Sequence, residues 1–209
     1  TLALRAKDPV AALQNIAASI TPVSKDGPGL ADFPLPAEVR GPVEQLVADL
    51  HAWQAGEIPW RDVSRGLLLV GPPGSGKTEI PRLIAQEAGI HVVAGSVAQW
   101  SSEGSRGSEV TKAMRSAFAK AAALAPSILF LDEIDAFGDR LRAQDHNSAW
   151  TDHIVTALLD LLDGFHGHEG VVVMGATNHI GKIDAAIRRP GRFDTVVTLG
   201  YPDHDLMPA

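Results

Sequence analysis

Gly71-Pro72-Pro73-Gly74-Ser75-Gly76-Lys77-Thr78 is the stretch on which the reading of this chain turns. It fits the pattern G-x-x-x-x-G-K-[ST]. It follows a short apolar run, Leu67–Val70, and opens a segment with helical patterning, Lys77–Glu87. Glycines at these positions let successive backbone N–H groups turn inward and form an anion-binding nest. The start of the following helix adds the positive end of its dipole. The pattern assigns Lys77 to the β- and γ-phosphates of a nucleotide and the Thr78 hydroxyl to Mg²⁺. A Gly/Pro-rich turn with a chance Lys has the same letters, but not the strand before it and the helix after it. Pro81 fits badly, because a proline inside that helix should strain or kink its second turn at a cost of about 3 kcal/mol.

Outward from this loop, short apolar runs alternate with helical segments. The strands are expected at Leu67–Val70, His91–Ala94, Ile128–Leu131, Val171–Gly175 and Val196–Leu199, and the helices at Lys77–Glu87, Glu109–Leu124 and Ala149–Leu162. Apolar runs without alternation suit strands buried on both faces. Strand–helix alternation implies a parallel sheet covered on both sides. The expected fold is therefore α/β, a three-layer α/β/α sandwich around a five-stranded parallel sheet. Upstream, residues 9–20 read as an Ala-rich helix, residues 21–36 as a linker dense in Pro and Gly, and Pro42–Trp53 as a further helix.

Composition narrows the function classes. The 209 residues contain no Cys, which removes disulfides, thiolate metal sites and a Cys nucleophile. The net charge of −7 argues against a general nucleic-acid surface. No apolar run approaches the ~20 residues that span a bilayer. Arg5, Lys7 and Asp8 interrupt the N-terminus before a signal sequence could form, so a cytoplasmic location is expected. Because the chain begins at Thr1, it reads as a fragment or processed product of something longer.

A second constellation lies at the end of Ser127-Ile128-Leu129-Phe130-Leu131-Asp132-Glu133. A buried strand here delivers two carboxylates to the carboxyl edge of the sheet, where ligands of such folds bind. Asp132 suits Mg²⁺ coordination, and Glu133 suits a general base acting on the attacking water. Alone, the pair could be an ordinary solvated strand end.

The phosphate loop, Leu131-Asp132-Glu133-Ile134-Asp135, Gly175-Ala176-Thr177-Asn178 and Arg188-Arg189-Pro190-Gly191-Arg192-Phe193-Asp194 occur in the order seen in the AAA ATPases, and the chain resembles that family over roughly residues 37–202. The resemblance implies ATP and Mg²⁺ as ligands and ATP hydrolysis as the activity. It implies a P-loop NTPase core at 37–202, an N-terminal helix and linker at 1–36, and the start of a helical lid, otherwise missing, at 203–209. By the family pattern Asn178 is the sensor that orients the lytic water. Arg189 and Arg192 are arginine fingers that reach a neighbour's nucleotide, with Arg188 more an exposed basic residue. Fingers acting in trans imply a homo-oligomeric ring, commonly a hexamer. Without its lid, the chain should bind ATP weakly and form few rings.

Other expectations are finer. Val39 and Gly41, in Glu38-Val39-Arg40-Gly41, resemble the segment that packs against adenine, although a helix entry explains them as well. Trp100 either faces the central pore and grips a polypeptide substrate or packs on the sheet edge; Ser101 and Ser102 replace the usual apolar residue and Gly beside it. A second pore loop is expected within Asp139–Ser148. Asp163-Gly164-Phe165 and Ile134-Asp135-Ala136-Phe137-Gly138 look most like the FtsH-type zinc metalloproteases, whose ATPase drives protein unfolding. His168-Glu169 lacks a second His at the H-E-x-x-H spacing, and His166 with His168 reads as a solvated turn, so no zinc is assigned. The alternative to a motor is a nucleotide-dependent switch or assembly protein with little turnover. A GTPase lacks its Asn-Lys-x-Asp motif here, and a DNA clamp-loader role sits badly with the acidity.

Overall fold

The structure is a computed structural model, and it describes residues 20–21, 28–96, 99–100, 107–137, 148–165, 168–189 and 191–201. Five parallel strands form the sheet: β2 (Gly66–Val70), β3 (His91–Ser96), β4 (Ser127–Asp132), β5 (Val171–Thr177) and β6 (Thr195–Thr198). A two-residue strand, β1 (Ile20–Thr21), adds antiparallel to β3 through Ile20–Val93 and Thr21–Val92. The order across the sheet is β1-β3-β4-β5-β2-β6. Four helices are described: α1 (Ala37–Gln54), α2 (Glu79–Ala88), α3 (Gly107–Ala123) and α4 (Ser148–Phe165).

The two faces of the sheet carry separate cores, as the period of two along each strand requires. Leu67, Leu69, Val92, Ile128, Phe130, Val172 and Met174 pack with α1 and α2. Leu68, Val70, Val93, Leu129, Leu131 and Val173 pack with α3 and α4. These are the three layers expected of the fold.

Boundaries shift in instructive ways. Helix α1 begins at Ala37, not Pro42, and carries Pro42 inside it. Val39, Val43, Leu46, Val47 and Leu50 are all buried, so the apolar stripe extends one turn above the proline and carries the helix with it. Pro81 also finds an explanation. Helix α2 starts at Glu79, so Pro81 occupies its first turn, where backbone N–H groups have no partner within the helix. The strain expected of an interior proline does not arise.

The segment read as a linker is part of the packing. Leu30 and Leu35 are buried members of the α1–α2 core. The expected helix at 9–20 lies outside the described residues except for Ile20, which is a strand residue. The expected lid start at 203–209 lies outside them too.

Close packing fixes the last strand. A Cβ at Gly66 would overlap the backbone carbonyl of Arg192, and one at Gly175 would come within 2.9 Å of the Phe193 ring. The glycines at the start of β2 and near the end of β5 thus make room for the Arg192-Phe193 segment, and Phe193 is buried beneath it.

Candidate active site

The ends of β2, β4 and β5 converge. In the parallel register Val70 pairs with Thr177 and with Thr198, so β2, β5 and β6 end level, and Leu131 opposite Gly175 brings Asp132 of β4 to the same edge. The loop leaving β2 is pinned on both sides. The Gly71 N–H donates to the Thr177 carbonyl at 3.1 Å, and the Leu199 N–H donates to the Val70 carbonyl at 2.7 Å. Gly74 and Gly76 adopt φ of 79° and 87°, the left-handed region that glycine enters at no steric cost. Thr78, at the N-cap of α2, closes the loop onto the helix.

Lys77 is 8% exposed and bends back into this loop. Its ammonium donates to the carbonyls of Gly71 and Pro72, each at 2.7 Å, and to Ser75 Oγ at 3.4 Å. Burial lowers its pKa, while the carboxylates of Asp132 and Asp135 pull the other way. Of the loop residues Gly71, Pro72, Pro73, Gly74, Ser75 and Gly76, the carbonyls of the first two and the Ser75 hydroxyl thus hold the Lys77 cation.

The acids stand opposite. The Thr78 hydroxyl donates to Asp132 Oδ2 at 3.4 Å although 54 residues separate the two in sequence. Glu133 follows, exposed, with φ of 53°. It is the one non-glycine residue with positive φ among those described. Such a conformation costs about 1–3 kcal/mol and gathers at functional sites. The Glu133 N–H donates to Asp132 Oδ1 at 2.8 Å, so Asp132 is held by its neighbour's backbone and by Thr78. A hydroxyl and a carboxylate side by side are hard oxygen donors of the kind Mg²⁺ takes, one or two from protein with the rest from phosphate and water. Among the described residues no three His, Cys, Asp or Glu side chains gather as a self-sufficient metal site, so the donor set fits a cation that arrives with phosphate. Asn178 is half-buried directly after β5, beside the loop's first hydrogen bond.

The chain matches the ATPase family associated with various cellular activities, AAA, over residues 67–201. It belongs to the AAA family. ATPase family gene 2 protein homolog B of Rattus norvegicus is 46% identical over 143 residues, covering 67% of this chain and 19% of that protein. The ATP-dependent zinc metalloprotease FtsH of Opitutus terrae is 45% identical over 143 residues, 66% of this chain and 23% of its own length. The mitochondrial inner membrane i-AAA protease supercomplex subunit YME1 of Saccharomyces cerevisiae is 38% identical over 171 residues, 79% of this chain and 22% of its own. The chain therefore spans about a fifth of the length of these relatives, and its likeness to FtsH-type modules lies in this AAA portion.

Several expected AAA positions look different in three dimensions. Trp100 is 5% exposed, and its ring lies where a Cβ at Gly95 would stand, within the α3–α4 core. It packs at the sheet edge, where it also lines a small cleft with Val93, Gln99, Ala113 and Lys120. Nothing as large could be buried there if residue 95 carried a side chain. Ser101, Ser102 and the rest of that loop, most of Asp139–Ser148 and His166 lie outside the described residues. Val39 is fully buried in the α1 core and turned into the protein, whereas Gly41 is exposed on α1 with open space around it. Another residue from the same end of the chain meets the phosphate loop.

That residue is Phe33, which the sequence reading missed. Its ring stands 3.1 Å from the Cβ position of Gly76, and its carbonyl accepts from Arg40 Nη2 at 3.0 Å. The available signal was a lone aromatic in Asp32-Phe33-Pro34-Leu35-Pro36, between residues too stiff to bury it by helix formation. Phe33→Ala should weaken nucleotide binding about fivefold, roughly 1 kcal/mol, by removing a wall of the loop. Turnover at saturation should stay close to that of the parent, and steady-state kinetics that separate KM from kcat check this.

Arg189 is exposed and Arg192 is not. Arg192 is 14% exposed at its side chain and paired in parallel with Asp163, Nε to Oδ1 and Nη2 to Oδ2, each at 2.7 Å. Its Nη1 donates to the Ala186 carbonyl at 2.6 Å. Its hydrogen bonds to the Asp163 carboxylate hold its pKa above the usual arginine value, against the opposing effect of burial. Within this chain the Arg192 guanidinium is engaged by Asp163 and the Ala186 carbonyl.

Proposed function

We propose that this AAA module binds ATP with Mg²⁺ and hydrolyses it, with Lys77, Thr78, Asp132, Glu133, Asn178 and Arg189 as the working residues. The observation that carries the reading is the contact between the Thr78 hydroxyl and the Asp132 carboxylate across the mouth of the loop. It brings a phosphate cradle and an acid pair, from distant parts of the chain, into one site.

In this reading the backbone N–H groups of Gly74 to Thr78 and the α2 N-terminus hold the phosphates. Lys77 exchanges its two carbonyl partners for phosphate oxygens. Thr78 and Asp132 would hold Mg²⁺, which would supply neutralisation of the phosphate charge. Glu133 takes a proton from the attacking water, and Asn178 orients that water through its side-chain amide. Arg189 belongs to the nucleotide of a neighbouring subunit, where it balances charge that builds up during transfer. The fuller assembly is a ring, a hexamer in the first instance, that works on polypeptide. Relatives of comparable identity carry the names of a metalloprotease and of an ATPase family gene 2 protein. What they share with this chain is the AAA portion, and that likeness supports the ATP-turnover part of the reading.

ATP-dependent phosphate release tests it. ATP should be hydrolysed in the presence of Mg²⁺, and excess EDTA should abolish turnover. GTP that outcompetes ATP would redirect the reading to a GTPase. Tight ATP binding without measurable turnover, at concentrations where the chain assembles, would favour a nucleotide-dependent switch.

A further inference from the structure

We infer that Arg40 is a positioning residue for nucleotide binding, which holds Phe33 against the phosphate loop from the first turn of α1. This role rests on the ATPase reading above and adds to it a side chain that acts only through another.

Residues 28–36 form a strap that leads into α1. Its first part is a turn closed twice, by the Asp32 N–H on the Gly29 carbonyl at 3.2 Å and by the Gly29 N–H on Asp32 Oδ2 at 3.1 Å. Leu30 and Leu35 are buried, one on each side of Phe33, and anchor the strap in the core. Pro34 and Pro36 fix φ on either side of Leu35, and Pro36 is the N-cap residue of α1. Phe33 stands half-buried between the anchors, with its ring on Gly76, whose φ is 87°.

The anchors set where the strap runs, and the Phe33 carbonyl sets how that residue is turned. It accepts from the Leu35 N–H at 2.8 Å and from Arg40 Nη2 at 3.0 Å. Side chains of a helix lean toward its N-terminus, so Arg40, the fourth residue of α1, is aimed back over the strap. Its Nη1 donates to Glu44 Oε1 at 3.3 Å, one turn further along α1, so the guanidinium is held from both ends. A planar fork can serve two acceptors at once at fixed angles, which an ammonium on a flexible stem does less well. Beside this tie the strap does not close on the helix. A cleft of about 280 Å³ opens there, lined by Leu30, Ala31, Arg40, Glu44, Val47 and Glu87. The Arg40 fork therefore links strap and helix at the border of a gap in their packing.

A ring held in place before nucleotide arrives spares the site the cost of ordering it on binding, which appears as affinity. The tie ends at Gly76, in the nest assigned to phosphate, and not at Glu133 or Asn178. Its loss should therefore weaken ATP and ADP alike and leave the chemical step unchanged.

The test is a mutant cycle of Phe33→Ala and Arg40→Ala in the full chain. It is read by fluorescent-nucleotide titration, by steady-state ATP turnover and by melting temperature without nucleotide. Arg40→Ala should weaken binding of both nucleotides about three- to fivefold, with kcat kept. The double variant should bind no more weakly than the worse single. The melting temperature without nucleotide should move by less than about 2 °C, because the Arg40–Glu44 pair is 32% and 55% exposed. Arg40→Met, which keeps the aliphatic stem and removes the donors, serves the same cycle if Arg40→Ala does not fold. Affinity that stays parental without the guanidinium overturns the role. Losses that add in the double variant overturn it too, since Arg40 would then act by a route other than Phe33. So does a fall in kcat at unchanged affinity. A parent chain that binds neither nucleotide at any concentration overturns the ATPase reading itself, and the positioning role with it.

Discussion

Glu133→Gln is expected to bind ATP as tightly as the parent chain while hydrolysing it about 10²- to 10⁴-fold more slowly. The substitution keeps the size and hydrogen-bonding reach of the side chain and removes only its capacity to take up a proton. The hydrogen bonds described for the phosphate loop run through Lys77, Ser75, Thr78 and the ends of the strands, and none involves the Glu133 side chain. Binding and chemistry are therefore separable at this position. Its φ of 53° costs Gln about what it costs Glu, so stability should not change. A fluorescent-nucleotide titration beside a phosphate-release assay gives both numbers. Unchanged turnover would remove Glu133 from the mechanism, and lost affinity would make it a binding residue.

Lys77→Ala should have the second large effect, a fall in ATP affinity of at least about 100-fold, near 2.7 kcal/mol, from the loss of charged hydrogen bonds to phosphate. The same change leaves the Gly71 and Pro72 carbonyls without their donor, so the loop loses its internal tie. Thermal unfolding separates the two consequences. ATP should raise the melting temperature of the parent chain by mass action and leave that of the variant unmoved. Without nucleotide, the variant's own melting temperature reports what the tie contributes to the fold. A variant still stabilised by ATP to the parental extent would mean that the backbone nest alone supplies the affinity.

The features legible in sequence were those whose physics is local. The glycines and Lys of the loop, and the apolar run that ends in Asp132-Glu133, carry their meaning in a few consecutive residues, and the structure brings them together. What sequence could not give was set by packing at a distance. Trp100 is buried because Gly95, on the preceding strand, leaves its ring space. Val39 is in a helix because its apolar stripe continues past Pro42. Pro81 was misjudged by position alone, since two residues' difference in the start of α2 turns an interior proline into a harmless one. Phe33 carried no pattern and Asp163 only a resemblance within Asp163-Gly164-Phe165, and only the fold shows that one touches Gly76 and the other Arg192.

The position of β5 between β2 and β4 has a consequence for distance. Two interstrand steps separate the cradle strand from the acid strand, about 9.6 Å at ordinary spacing. The loop after Val70 and the first turn of α2 must bridge that span before Thr78 can touch Asp132. The intervening strand thus acts as a gauge, setting how far apart the two halves of the site stand. Its own terminus, Thr177-Asn178, lies at mid-span between the two. A change in the width of β5's packing would part Thr78 from Asp132 without altering either residue.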